Sequence, residues 1–356
     1  MKKTMALYPI YMPDVHPHFT LQKSFEKYFD CFTYDWVNIA KTKGLPQTQK
    51  AFVELLKEKK PEYCFMQLQN PINMTVAVIK EMAKYTRIIN WSGDVRQQND
   101  WYRWFELIGK EIFLTLFSNN TDVDIMRERG VRADYLQVGF DDGWYHRKPP
   151  IADYPEIVFC ANDYGSFQLS KYRADVALAL KKEFGNRFAI YGSGWDKWGI
   201  QTARIGNAKE ADVYNSCKIA ISVSNFQFKR YYSDRLLRIM ACGVFPLSHD
   251  FEEMEKDFTE GHDIVTFKNI DDLIDKCHYY LGHPLERNII AENAFNTAHS
   301  KCKWDNRCEE LIKLLDAWEP VKFEKGYLML TPDHPYYSAA KALFDSECRD
   351  LSKYKE

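Results

Sequence analysis

The sequence lacks any apolar run that approaches the roughly 20 residues needed to cross a membrane. Its formal net charge is only −2, so the electrostatics of the whole chain indicate no particular partner. Nine cysteines are present, but none are spaced as CxxC, which argues against a zinc site. Lys2 and Lys3 precede a short apolar stretch, but Pro9 and Pro13 interrupt it, so we interpret it as a strand and not as a signal peptide. We expect a cytoplasmic protein with reduced thiols.

Clusters of metal ligands are also missing from the pattern. Asp122 and Asp124 have the DxD spacing, but they fit the first turn of a helix, where acidic side chains favour the helix dipole. His146, His249 and His262 are not spaced as ligands. We therefore expect neither a bound metal nor a cofactor.

What the sequence does contain is a regular alternation of apolar strands and amphipathic helices. Strands are predicted at residues 4–11, 32–36, 63–68, 87–91, 111–117, 134–138, 157–160, 188–191, 218–223, 244–248 and 263–267. Helices are predicted at residues 21–29, 47–59, 72–85, 122–129, 172–184, 210–216, 234–242, 251–258, 270–281 and 287–316. This order is typical of parallel α/β sheets.

A proline-rich segment divides the alternation into two halves. Residues 1–148 are predicted to form a first Rossmann-like domain, 149–155 a linker, and 156–317 a second Rossmann-like domain. The aromatic-rich residues 318–356 show no clear strand order, and we expect them to pack on the first domain. Two such domains would face each other across a cleft, and ligands of open sheets bind at the carboxyl ends of the strands.

The stretch YYSDRLLRIMACG, residues 231–243, is the most informative in the chain. Ser233 is a good N-cap for a helix with one apolar face. Backbone N–H groups, a positive helix end and the side chains of Arg235 and Arg238 meet there, and this combination is suited to a diphosphate. The alternative is a capped helix in which Asp234 pairs with Arg238.

Several motifs follow one another in the order seen in a known family. They are IINWSGD, LTLFSNNTDVDIMRERGV, YLQVGFD, IVFCANDYGSF, AIYGSGW, KIAISVSN and YYSDRLLRIMACGVFPLSHD. From Ile88 to Ala294 the sequence resembles the group-1 glycosyltransferases of the GT-B type, and within them the spore-maturation-protein (CgeB-like) branch. The resemblance implies metal-independent transfer of a sugar from a nucleotide sugar, most commonly UDP-linked, to an acceptor hydroxyl, with retention favoured over inversion.

The resemblance also implies a set of donor-binding residues. They are Ser193, Gly194, Trp195, Ile205, Lys229, Arg230, Tyr232, Ser233, Asp234 and Arg235. The alternatives are a solvated basic cluster at 229–230 and a plain turn at 193–195. Arg238 stands where many relatives have a glutamate that binds the ribose, which leaves Asp234 for that contact or gives Arg238 a structural role. MPDVHPHF replaces the glycine-rich loop that often follows the first strand.

Asp94 is the best catalytic candidate because it follows an apolar strand and Gly93 at the expected cleft. It would act as a base in an inverting reaction or orient sugar hydroxyls in a retaining one. The alternative is an aspartate that stabilises a turn. His16 is a second base candidate, since histidine titrates near neutral pH. Residues assigned to the acceptor side are Trp91, Ser92, Arg96 and His18.

The acceptor stays open at this point: a glycan, a small molecule or a modified base in DNA. Residues 1–150 carry 21 Lys and Arg against 18 Asp and Glu, and residues 41–60 hold six lysines against two glutamates. This mild basicity favours DNA only weakly. A further alternative is a non-catalytic nucleotide-binding protein on the same fold.

Overall fold

The computed structural model describes residues 2–8, 20–69, 73–95, 99–151 and 154–318. These residues form two sheets in which every pair of neighbouring strands is parallel. The two parallel α/β domains that the alternation predicts are therefore present. In the described part of the chain, no helix is long and apolar enough to cross a membrane.

The first sheet has six strands in the order β2-β1-β3-β4-β5-β6. Its elements are β1 (Thr4–Tyr8), α1 (Thr20–Tyr28), β2 (Asp30–Thr33), α2 (Trp36–Lys43), α3 (Leu45–Lys59), β3 (Tyr63–Met66), α4 (Val76–Met82), β4 (Arg87–Ser92), α5 (Asn99–Gly109), β5 (Leu114–Phe117), α6 (Asn120–Glu128) and β6 (Ala133–Tyr135). The central strands β3 and β5 are buried along their whole length. Helices cover both faces, which explains why these strands are apolar apart from Thr115 in β5.

The second sheet has five strands in the order β11-β10-β9-β7-β8. Its elements are β7 (Ile157–Cys160), α7 (Ser170–Phe184), β8 (Phe188–Tyr191), α8 (Asn207–Ser216), β9 (Ile219–Ser222), α9 (Asp234–Ala241), β10 (Phe245–His249), β11 (Val265–Phe267), α10 (Ile270–Gly282) and α11 (Pro284–Lys301). The helix α12 (Trp304–Trp318) follows. One apolar cluster lies on each face of this sheet.

Two helices of the first domain are absent from the sequence-based prediction. Asp35 caps α2 by accepting the backbone N–H of Asn38 at 3.0 Å, whereas the predicted strand ran on to Trp36. The apolar residues of α5 recur every three positions, at Tyr102, Phe105 and Ile108, and all three are buried. In the second domain, the helix predicted at 251–258 is only a 3₁₀ turn at Met254–Lys256.

Within the described residues the chain passes between the domains twice, and these two crossings touch. The backbone of Phe140 pairs with Lys303, and its N–H donates to the Cys302 carbonyl at 3.2 Å. Gly139 permits this approach, because a Cβ atom there would lie 2.7 Å from the Trp304 ring. The start of α12 then returns to the first domain, where Asp305 accepts a hydrogen bond from Ser24 at 2.6 Å.

Glycines join the loops that follow β7 and β8. A Cβ atom on Gly192, whose φ is +143°, would lie 1.9 Å from the Ala161 carbonyl oxygen. Gly194 has a φ of +82°, and a Cβ atom there would lie 2.0 Å from the Asp163 carbonyl oxygen. Between these two glycines, the backbone carbonyl of Ser193 accepts a hydrogen bond from the backbone N–H of Asp163 at 2.8 Å. The close approach extends the pairing of the two strands into the loops beyond them.

We expect Gly192→Ala to lower the free energy of unfolding by about 3–5 kcal/mol, since backbone strain and a steric overlap add together. Gly199→Ala is the matched control, because φ there is +72° but the space around it is open. It should cost only about 1–2 kcal/mol of strain. Urea unfolding measures both, and equal losses in the two variants would contradict the overlap.

Candidate active site

A cleft of about 1260 Å³ lies at the carboxyl ends of the two sheets. The first domain lines it with Gly93 and Asp94, which follow β4. The second domain lines it with Asn162 after β7, Gly192 after β8, and Ser233 at the start of α9. Ligands of parallel sheets bind at this edge, so the cleft is the candidate active site.

Asp94 faces the helix α9 across this cleft. The next residue, Val95, packs in one apolar cluster with Phe226 and Tyr231 of the second domain. Burial raises the pKa of Tyr231, and the negative charges of Asp94 and Asp234 raise it further. Asp94 therefore lies close to the segment that leads into α9.

Two serines fix the loop that presents Asp94. Ser118 donates its hydroxyl to the Gly93 carbonyl at 2.9 Å, and Ser92 donates to the Asp94 carbonyl at 3.2 Å. Ser92 is fully buried. The acceptor-side role predicted for Ser92 is thus corrected to that of a residue that holds the loop, while Asp94 itself is exposed.

Of the other residues predicted in the first domain, one lies in the described part of the chain and three lie outside it. Trp91 lines the cleft, and its indole N–H donates to the Leu136 carbonyl at 2.8 Å, so the edge of the ring is fixed. Arg96, His16 and His18 lie outside the described residues, and their roles stay predictions.

Lys229 does not line the cleft but docks the second domain on the first. The N–H of Asn120, at the start of α6, donates to the Lys229 carbonyl at 2.9 Å. The N–H of Lys229 donates to the Thr121 hydroxyl at 3.1 Å, and its ammonium group lies 3.4 Å from Asp124. The diphosphate role predicted for Lys229 is therefore corrected to an interdomain contact.

Arg230 also lies at the contact between the domains and does not line the cleft. Its guanidinium donates two hydrogen bonds to Asp257, at 2.8 and 2.7 Å, and lies 3.8 Å from the centre of the Tyr135 ring. Burial lowers its pKa, but Asp257 outweighs that effect and raises it above the usual value. A cation engaged in this way stabilises the domain contact and is not available to the donor, which corrects the prediction.

The start of α9 matches its prediction in position and differs in detail. Ser233 is the N-cap residue but makes no side-chain cap; its hydroxyl instead accepts from Arg235 at 3.2 Å. The N–H groups of the first turn thus receive no cap from this side chain, and the positive helix end faces the cleft. Tyr232 also lines the cleft, although it is buried against Phe251 and Phe258.

Arg235 lines the cleft at the end of the sheet. Its guanidinium donates to the Cys160 carbonyl at 2.6 Å and to the Val223 carbonyl at 3.0 Å. These oxygens terminate β7 and follow β9, so Arg235 ties two strand ends together. Its Nη2 amino group carries the two N–H groups not used in these bonds.

A second guanidinium, that of Arg173 on α7, is fully buried behind Arg235. It donates to the Asn225 side chain and, at 2.9 Å, to the Asn162 carbonyl, both of which belong to residues of the cleft wall. Its Nε has no hydrogen-bond partner within the described chain. Burial and the charge of Arg235 lower the pKa of Arg173 to about 9.

Both guanidiniums therefore donate to neutral oxygens among the described residues. Asp163, the acidic group that most favours the charge of Arg173, is engaged by Lys197 at 2.7 Å and by Trp198 at 2.7 Å. Buried charge is costly unless an opposite charge compensates it. This wall of the cleft is thus suited to an anion.

A carboxylate network lies beside this wall. Arg238 contacts Asp234 at 2.5 Å and Glu210 at 3.2 Å, and Glu210 also accepts the hydroxyls of Tyr145 at 2.7 Å and Tyr214 at 3.0 Å. Burial lowers the pKa of Arg238, but the two carboxylates raise it above the usual value. The Asp234–Arg238 pair that the sequence left as an alternative is formed, and both residues line the cleft.

The loop after β8 contributes less than its sequence suggested. Trp195 is fully buried, and its indole N–H donates to the Ala161 carbonyl at 2.6 Å, so it is a core residue and not a cleft wall. Ser193 is exposed and donates its N–H to the Asn162 side chain at 2.9 Å. Gly194 serves the close approach of the two loops described above. Neither of these two residues is among those that line the cleft.

Ile205 lines the cleft together with Arg204, Gly206 and Asn207 at the start of α8, and its donor-binding role stays a prediction. Glu210 and Arg173, by contrast, were absent from the predicted site. A signal was available for Arg173, because it occupies the same helical stripe as Ala177 and Leu180 in a helix that is otherwise apolar on that face.

Comparison with known proteins connects this site to a class of enzymes. Residues 173–313 match the model of the glycosyl transferase-like family, in agreement with the resemblance found in the sequence. None of the curated proteins matches the chain in sequence.

Solved structures match nearly the whole chain. HepE from Anabaena, in complex with UDP-glucose, has a TM-score of 0.63 at 10% identity, covering 88% of this chain and 99% of HepE. Sucrose-phosphate synthase from Thermosynechococcus elongatus has a TM-score of 0.61 at 7% identity, covering 88% and 98%. A glycosyltransferase from Rickettsia africae has a TM-score of 0.60 at 11% identity, covering 90% and 100%. The predicted GT-B fold is confirmed.

We expect Glu210→Gln to lower the free energy of unfolding by about 2 kcal/mol, because Arg238 is half-buried and loses one of its two carboxylates. Glu183→Gln, which removes the charge from an exposed pair with His278, is the control and should cost about 0.5 kcal/mol or less. Denaturant unfolding measures both. Equal effects would show that Glu210 compensates no charge.

Proposed function

We propose that the protein is a glycosyltransferase that moves a sugar from a UDP-sugar to an acceptor hydroxyl. The observation that carries this proposal is the anion-suited wall of the cleft, where Arg235, Arg173 and the start of α9 meet opposite Asp94. The match of residues 173–313 to the glycosyl transferase-like model supports it. Because the motifs from residue 88 to residue 294 follow one another in the order seen in the CgeB-like branch, we propose that the protein is related to that branch.

The donor's diphosphate would lie against Arg235 and the first turn of α9. Positive charge fixed at this point stabilises the negative charge that develops when the bond between sugar and diphosphate breaks. Since arginines and a helix end supply that charge, we propose transfer without a metal ion. The nucleoside would extend along Ile205 and Gly206, and UDP is the first choice because HepE forms a complex with UDP-glucose.

Asp94 would act at the other end of the donor. In the reaction, the bond from the sugar's anomeric carbon to the diphosphate breaks and UDP leaves, while a bond to the acceptor oxygen forms. The proton of the acceptor hydroxyl passes to the departing diphosphate in a retaining reaction, or to Asp94 in an inverting one. We propose retention of configuration, on the group-1 resemblance, with Asp94 orienting the reacting hydroxyls. The anomeric configuration of the product, determined by NMR, tests this, and an inverted product would make Asp94 the base.

UDP at 100 times its dissociation constant should raise the free energy of unfolding by about 2.7 kcal/mol.

Arg235→Lys should weaken UDP binding by about 1.5–3 kcal/mol and leave uridine binding unchanged, because it removes a charge-assisted bond to the diphosphate. Calorimetry with both ligands measures this.

Arg287→Lys is the matched control for that experiment. Arg287 is another buried arginine of the second domain, its guanidinium donates to the Tyr280 carbonyl at 2.8 Å, and it does not line the cleft. Its variant should bind UDP as the natural protein does. If no nucleotide stabilises the protein, the donor assignment is wrong.

Asp94→Asn should lower kcat by at least about 100-fold while UDP affinity stays the same, as expected for lost proton transfer or orientation. Glu81→Gln is the control, since Glu81 is a carboxylate on α4 that pairs with Lys84 outside the cleft. Steady-state kinetics with a radiolabelled UDP-sugar compare the variants. Unchanged turnover in Asp94→Asn would remove this residue from the mechanism.

A further inference from the structure

One aromatic ring in the cleft is largely exposed. Tyr164, in the loop that follows β7, lines the cleft and leaves 60% of its surface exposed. Its ring centre lies 5.4 Å from that of Phe167, which in turn lies 4.8 Å from that of Phe226. Both phenylalanines also line the cleft. We call Tyr164, Phe167 and Phe226 the aromatic wall, and such walls are typical of sites for small organic ligands.

The aromatic wall is carried by the loops that follow β7 and β9, and hydrogen bonds tie these two loops together. The Leu169 N–H donates to the Asn225 carbonyl at 3.0 Å. The Gln227 N–H donates to the side-chain carbonyl of Gln168 at 2.9 Å. Because these bonds hold the two loops in place, a ligand that binds to the rings has little ordering entropy to overcome.

The aromatic wall adjoins the proposed reaction centre. Phe226 packs in one apolar cluster with Val95 and Tyr231, and Phe167 packs against that cluster. Val95 is the residue after Asp94, and Tyr231 lies just before α9, where the diphosphate is proposed to bind. The nucleoside is proposed to lie along a different segment, which follows β8. The wall is therefore next to the end of the donor from which the sugar is transferred.

We propose that the aromatic wall binds the acceptor, and that the acceptor carries an aromatic ring beside its reacting hydroxyl; this rests on the proposed function. The ring planes of Tyr164 and Phe167 are inclined by 48°, and those of Phe167 and Phe226 by 49°. Rings inclined in this way offer faces and edges to a further aromatic ring, which prefers edge-to-face and offset contacts. Because a phenylalanine side chain has no polar atom, Phe167 and Phe226 offer no hydrogen bond to the hydroxyls of a sugar.

The test compares alcohols that differ in the aromatic character of one ring. The full-length protein, with its best UDP-sugar, is offered benzyl alcohol and 2-naphthylmethanol, each beside its fully hydrogenated counterpart. The nucleoside of 5-hydroxymethylcytosine and duplex DNA that contains this base form a second arm, which distinguishes a nucleobase from other aromatic rings.

We expect transfer to at least one aromatic acceptor, and for the alcohols a kcat/KM about three- to tenfold above that of the hydrogenated counterpart, since aromatic contacts add to the effect of burial. Preferential transfer to the base would identify the ring as a nucleobase. Equal or better use of the hydrogenated alcohols would overturn the proposal, as would the absence of transfer to any aromatic acceptor.

UDP binding, measured in parallel, separates this failure from failure of the proposed function. If UDP binds and aromatic acceptors are not used, the acceptor class is wrong but the donor site stands. If UDP does not bind, the proposed function itself fails, and this proposal with it.

Tyr164→Ala tests the location of the acceptor. It should raise KM for the aromatic acceptor about tenfold and leave kcat and UDP affinity nearly unchanged, because it removes the most exposed ring of the aromatic wall. Tyr164→Phe keeps the ring and should restore KM. Tyr279→Ala, which removes a ring that is 46% exposed on α10 and outside the cleft, is the matched control and should leave KM as it is. An unchanged KM in Tyr164→Ala, or an equal loss of UDP affinity, would remove the aromatic wall from the acceptor site.

Discussion

The contact between the loop at 226–231 and the first domain is the constraint on which the site depends. This loop is anchored by backbone hydrogen bonds to the start of α6 and by the stacking of Arg230 on Tyr135. It leads directly into α9, so the same contact places the positive end of that helix opposite Asp94. Residues that sequence reasoning assigned to the ligand thus serve to position the elements that hold it.

The second consequence of this arrangement is electrostatic. Arg173 and Arg235 lie next to each other behind the ends of β7 and β9, and they donate their hydrogen bonds to carbonyl, amide and hydroxyl oxygens, all of them neutral. Such a pair is stable when the rest of the fold outweighs the cost of burial. An anion bound at this wall would compensate the two charges, so we expect its binding to raise the free energy of unfolding.

The sequence predicted most of the fold because its strands are short apolar runs bounded by turn residues, and parallel sheets follow from that order. It also predicted the position of α9 and the exposure of Asp94 at a strand end. It failed at Trp195, Lys229 and Arg230, whose residue types suit a ligand equally well. Whether such a side chain meets a ligand, the core or another domain is decided by tertiary contacts that local patterns do not contain.

The two crossings between the domains lie side by side, where Phe140 pairs with Lys303 and Gly139 admits Trp304. Because the two connecting segments are in contact, they form a single joint between the domains. A rotation of one domain against the other would turn about this joint, and it would have to break the contacts of Lys229 with α6 and of Arg230 with Tyr135.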